Sequence, residues 1–201
     1  MRQERHHCYR NRPLDEAAWW GDFRNSFSGS LPVDLPKLEN LKFPQLSCFH
    51  GGLPWELGNM SNLQYLDIAS GNLSSLPEEL SKITSLVSLD LSDNHISGPI
   101  PESFSEMKNL RLLSLMYNEM TGSVPKGIAE LPSLETLLIW SNQFSGSLPK
   151  NFGSNKKLKW LDVSTNNFVG HIPLDICLGG LLFKLILFSN KFSGGLSPSP
   201  L

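Results

Sequence analysis

An α/β solenoid, in which short turns stack so that one strand from each builds a parallel sheet along the inner curve, is expected from three features of the sequence. Asparagine recurs at 94, 118, 142, 166 and 190, always 24 residues apart. A fixed period of this length marks turns that bury their apolar side only against each other. Each of these asparagines also sits in the same apolar frame: Leu131, Leu134, Leu137 and Ile139 precede Asn142, and Phe144, Gly146, Leu148 and Pro149 follow it. Finally, Gly and Pro punctuate the second half of the turns, so a long helix has no room there.

Each residue class in this frame has a physical task. Along Leu137, Leu138 and Ile139 alternate side chains face opposite ways, so Leu137 and Ile139 point inward and Leu138 outward. Asn142 follows where the chain leaves the strand. Its amide carries both donors and an acceptor, which suits it to pair backbone groups that the bend buries. Gly146 relieves steric restriction, and Pro149 fixes φ and removes a donor on the outer, convex side. This is the LxxLxxLxLxxNxLxGxIP pattern of a leucine-rich repeat. It predicts a concave parallel sheet with strands near 64–68, 88–91, 112–115, 136–139, 160–163 and 184–187, and few or short helices.

Composition narrows the function. A net charge of −2 over 201 residues lacks the concentrated basic surface that nucleic-acid binding needs. The longest apolar run, Leu178 to Phe188, is broken by two Gly and by Lys184 and is too short to span a bilayer. The opening MRQERHHCYRNRPLDE is charged and has no secretory signal pattern. Three cysteines, Cys8, Cys48 and Cys177, cannot all pair within the chain. His6-His7-Cys8 and Cys48-x-His50 lack the spacing of a zinc site, so no metal is expected. No nucleophile, base and orienting group share a plausible site, so the chain is read as a non-enzyme without a cofactor.

In chain order, residues 1–22 read as a non-repeat leader whose composition suits disorder, with Trp19 and Trp20 placed to cover the first turn. Residues 23–196 read as the repeat domain of about eight turns, irregular at 35–50. There the ladder position passes from Asn25 to Ser47, an interval of 22, and Pro44 stands where a central strand needs an N–H. The next ladder position falls on Gly71, with Asn72 one residue late, and the following turn has 23 residues. Asn155 and Gly179 occupy apolar positions of the frame, and 197–201 reads as a truncated tail with no capping element, as in a piece of a longer solenoid.

Outward strand positions form rows across the concave face. They gather Tyr65, Asp67, Asp90, Met116, Tyr117, Trp140, Trp160, Asp162 and Phe188, which are the candidate ligand-binding residues. Single exposed apolar residues are ordinary. Aromatic anchors with polar neighbours converging on one concave sheet instead have the make-up of a binding hot spot, and the aspartates favour cationic positions in an extended peptide.

The ending GxIP, as SGPIP at 97–101 and VGHIP at 169–173, resembles the extracellular domains of plant leucine-rich-repeat receptor-like kinases. The runs LGNMSNLQYLDIA, SFSEMKNLRLLSLMYNEM, LPSLETLLIW and DVSTNNFVGHIP are most similar to the peptide-receptor branch that contains the tracheary-element differentiation inhibitory factor receptor and its more-lateral-growth relative. The resemblance implies an ectodomain on the extracellular face of the plasma membrane, binding a small secreted peptide or protein ligand along its concave face and recruiting a co-receptor ectodomain. It also implies a membrane span and a kinase, yet no GxGxxG, HRD or DFG occurs here. The chain therefore reads as a truncated fragment, and the basic pair that holds a peptide's end in such receptors would lie beyond residue 201. Asn59 in Asn-Met-Ser and Asn72 in Asn-Leu-Ser fit the glycan acceptor pattern. The alternative reading is a kinase-free interaction module, such as an inhibitor of a secreted enzyme.

Overall fold

The structure, a computed structural model, describes residues 20–21, 29–46 and 49–194. Asn25, Ser47, Cys8 and Cys48 lie outside the described residues, as do 1–19 and 195–201. Eight strands form one parallel sheet, taken in chain order: Trp20–Gly21, Pro44–Gln45, Tyr65–Asp67, Ser88–Asp90, Leu112–Ser114, Thr136–Leu138, Trp160–Asp162 and Lys184–Ile186. The last six occupy the expected places. From Ser88 onward they pair at a constant 24-residue step, for example Thr136 with Trp160 and Trp160 with Lys184. Opposite the sheet, the described turns carry 3-10 segments of three to five residues and one short α-helix, Lys126–Ala129.

A second set of parallel strands, not anticipated from the repeat pattern, runs along one side of the solenoid. It comprises His50–Gly52 with Asn72–Ser75, Ser97–Gly98 with Glu119–Met120, and Ser145–Ser147 with Asn167–Gly170 and Lys191–Phe192. The glycine of the GxIP segment explains it. Gly98, Gly146 and Gly170, each a paired residue of its side strand, hold φ of 84°, 76° and 79°, a region that other residues enter at a cost, so glycine lets the chain bend within the paired segment.

The interior is a stack of wholly buried aliphatic side chains, among them Leu89, Leu91, Leu113, Leu115, Leu137 and Ile139. Each fully buried Leu or Ile stabilises by about 1.5–3 kcal/mol relative to exposure. Beside them Phe144, Phe168 and Phe192 stack with centroids 6.2 and 6.1 Å apart. The asparagine ladder follows one wiring plan. In Asn142, Oδ1 accepts the Met120 N–H at 2.9 Å, while Nδ2 donates to Leu115 O at 2.9 Å and to Ile139 O at 3.2 Å. Asn118, Asn166 and Asn190 repeat these offsets. Asn94 instead accepts from Leu73 N–H and donates to Ile68 O, each one residue nearer in sequence, as the 23-residue turn requires.

The irregular turn is also localised. In regular turns, the residues pairing forward from the concave and the side strands lie seven apart, as Asp90 and Ser97 do. Gln45 and His50 hold those places only five apart, so two residues are missing between the strands. Pro44 opens its strand, where a missing donor is tolerated, and Leu46 N–H bonds Asp67 O at 2.8 Å. Asn155 fits its apolar position because Nδ2 donates to Leu131 O and Leu134 O at 3.0 and 2.8 Å. Gly179 fits because a Cβ there would stand 2.5 Å from Lys156 O.

Candidate ligand-binding face

The parallel register carries Tyr65, Ser88, Leu112, Thr136, Trp160 and Lys184 across the concave sheet as one row, and Asp67, Asp90, Ser114, Leu138, Asp162 and Ile186 as another. The strands then end in a shared device. Ser70, Asp93, Tyr117, Ser141, Thr165 and Ser189, each one residue before a ladder position, have φ between 52° and 59°. For a bulky or β-branched residue this left-handed conformation is costly, on the order of 1–2 kcal/mol, and the surrounding hydrogen bonds enforce it. At Tyr117 the bend leaves the ring exposed and edge-on to Trp140, with centroids 4.2 Å apart and planes at 62°.

The candidate residues divide by depth. Tyr65, Tyr117 and Phe188 are exposed; Asp67, Trp140 and Trp160 are half-buried; Asp90, Asp162 and Met116 are buried. Asp90 and Asp162 lie deeper than the aromatic residues of the concave face, and each holds a backbone group. Asp90 Oδ1 accepts the Ser92 N–H at 3.0 Å, and Asp162 Oδ1 accepts both N–H and Oγ–H of Ser164 at 3.1 and 2.7 Å. Asp67 Oδ1 likewise accepts the Ala69 N–H at 3.2 Å, and Oδ2 accepts from Gln45 Nε2. Their carboxylates close the strand exit by bonding the backbone two residues on. Trp160 is covered as well: Lys184 Nζ lies 3.9 Å from its ring centroid, and its Nε1 is buried without an acceptor among the described residues. Tyr65 stacks on Phe43 at 4.9 Å.

A charged group escapes the periodicity argument. Glu135 Oε1 accepts from Arg111 Nε at 2.8 Å and from Arg111 Nη2, and Glu135 Oε2 accepts from Lys159 Nζ at 2.8 Å. Burial raises the Glu135 pKa, but the hydrogen bonds and charges of Lys159 and Arg111 outweigh it and hold the carboxyl below its ordinary value. These residues share one register position on adjacent turns, so opposite signs at a 24-residue step were the available signal. Beside them runs an open groove of about 700 Å³, lined by Tyr65, Val87, Arg111, Glu135 and Lys157 among others. Asn59 and Asn72, the two glycan candidates, are exposed. Among the described residues there is no cluster of metal-ligating side chains, and no helix is long and apolar enough to cross a membrane.

Known proteins place this geometry in a class. A family model described as a leucine-rich repeat region matches residues 31–185, and the chain belongs to that family. The crystal structure of a TDR receptor is 48% identical, with TM-score 0.81, over 83% of this chain and 29% of its own. It lies in the peptide-receptor branch that the motif runs resemble. The plant peptide hormone receptor RGFR1, solved with RGF2, is 30% identical with TM-score 0.81 over 84% of this chain and 28% of its own. The Arabidopsis receptor kinase HAESA, solved with the peptide hormone IDA and the co-receptor SERK1, is 29% identical with TM-score 0.62 over 82% of this chain and 32% of its own. The chain thus spans less than a third of the length of these receptor chains.

Proposed function

We propose that this chain is a ligand-recognition segment of a plant receptor-type ectodomain, and that it takes an extended secreted peptide across its concave face. The observation that carries the reading is the aromatic surface left open on a rigid parallel sheet. Tyr65 on Phe43, the Tyr117–Trp140 pair and Phe188 stand on separate turns, while Asp90 and Asp162 between them are buried, each with one carboxylate oxygen held by the backbone. Aromatic side chains of this kind anchor binding partners because they bury large area with little rotamer entropy to lose. The similarity to peptide-hormone receptors supports the same reading, and with it an extracellular location, a co-receptor contact and a binding rather than an enzymatic role.

The test is a Tyr117→Ala/Trp140→Ala double variant measured by calorimetry against a peptide selected on the wild-type chain. Loss of about 2–4 kcal/mol of binding with an unchanged unfolding midpoint is expected. Equal affinity would move the binding surface off this face.

A further inference from the structure

The groove beside the concave sheet has a chemistry of its own. Its lining comes from five successive turns, from Tyr65 through Val87, Arg111 and Glu135 to Lys157. At about 4.8 Å per strand it extends roughly 19 Å, the length of about six extended residues at about 3.3 Å each. One end carries the groove's apolar surface, with Tyr65 stacked on Phe43 and Val87 on the next turn, beside Gln64 and Ser85. The other end is cationic. Glu135 is a single carboxylate shared by Arg111 and Lys159, and Lys157 adds a third cation that has no ion pair among the described residues. Arg111 is about half exposed and bonds Glu135 through Nε and Nη2, which leaves Nη1 without a partner there. A guanidinium fixed along one edge keeps its remaining donors pre-organised for a second carboxylate.

We infer that this groove receives an extended peptide segment in which an apolar residue, seated on Tyr65 and Val87, is followed about three positions away by Asp or Glu bound at Arg111, with the positive charge of Lys157 two turns further along the groove. The spacing is that of the molecule: Tyr65 and Arg111 are two turns apart, roughly 10 Å, and three extended residues span the same distance. The inference rests on the peptide-binding reading above and adds to it the ligand's charge, which is opposite to the basic partner the exposed-aspartate expectation called for. The apolar end favours a peptide over a sugar polyanion, whose charges would repeat along the whole groove.

Immobilised hexapeptide libraries of the forms apolar-x-x-Glu and apolar-x-x-Gln, with both ends blocked, test this on the full chain. Wild-type protein is expected to prefer the Glu library at least 10-fold. Arg111→Gln is expected to bring the ratio near one, and Lys157→Gln, at an exposed site, to lower it in part. Equal binding of the two libraries, or a ratio that neither variant moves, overturns the acidic-ligand inference; the peptide-binding reading then stands or falls separately on the Tyr117→Ala/Trp140→Ala result. Soluble polygalacturonate displacing the Glu library at lower carboxylate concentration than a Glu hexapeptide would overturn the peptide assignment in favour of a sugar polyanion.

Discussion

Replacing Asn142 with Leu removes a side chain of similar size and four hydrogen bonds, but the four partners do not suffer equally. Leu115 O keeps a bond from Asn118 Nδ2 at 3.0 Å, Ile139 O keeps one from Asn166 Nδ2 at 3.0 Å, and Trp140 O keeps the Tyr117 N–H at 3.0 Å. The wholly buried Met120 has its N–H on Asn142 Oδ1, and that donor loses its partner. An unsatisfied buried donor costs about 1–3 kcal/mol. With the carbonyls still served, about 2 kcal/mol is expected in all, which lowers the melting temperature of a chain this size by about 4–8 °C. Gln143 is exposed, so Gln143→Leu is expected to stay within about 0.5 kcal/mol of wild type. Thermal unfolding of the three proteins followed by circular dichroism, with amide exchange at Met120, is the measurement. Equal midpoints for the two variants, or undiminished protection at Met120, would refute the ladder argument.

Gly71→Asn restores the repeat motif yet is expected to destabilise by about 1–3 kcal/mol, because a Cβ there stands 2.8 Å from both Phe49 O and Asn94 Oδ1; a raised urea midpoint would contradict this. Glu135 has a folded pKa held below the ordinary carboxylate value, so its contribution to stability is present above the unfolded pKa and is lost as pH falls through the folded one. Glu135→Gln is accordingly expected to cost about 0.5–1 kcal/mol near neutrality and to flatten the acid limb of the stability profile, and an unaltered limb in urea titrations between pH 2 and about 5 would count against the network. Asn59 and Asn72 are exposed, and mass spectrometry of material secreted from plant cells is expected to find glycans on both; two bare asparagines would remove the assignment.

The solenoid was readable in the sequence because its defining contacts join equivalent positions of adjacent turns, so side-chain periodicity records them directly. Even the short turn before Asn94 appears as shortened hydrogen-bond offsets to Leu73 and Ile68. The side strands left a weaker trace, since their pairing is backbone to backbone and, apart from the buried Leu73, Met120 and Phe168 that already belong to the repeat frame, their side chains, such as Ser97, Glu119 and Asn167, are polar and outward. The binding face was legible in direction but not in depth. Period-two alternation says that Asp90 and Asp162 lie on the concave side, whereas their burial follows from bonds to Ser92 and Ser164 two residues on. The left-handed residue at Tyr117 was hidden because neither Tyr nor the Thr and Ser at equivalent places advertises that conformation.

The ladder bonds also have a direction. Each asparagine that starts a described ladder reaches back, supplying an acceptor and a donor to the turn before it, so a turn is finished by its successor. An irregularity in one turn must then be accommodated by the side chain of the next. This is the relation between the turn that is two residues short at Gln45–His50 and Gly71: the carbonyl of Phe49, which accepts the Asn72 N–H at 2.8 Å as Met120 O accepts that of Gln143, stands 2.8 Å from where the Cβ of an asparagine at 71 would lie. Length and side chain are coupled across the boundary, so restoring the asparagine at 71 requires restoring the two residues upstream, and neither repair is expected to succeed alone.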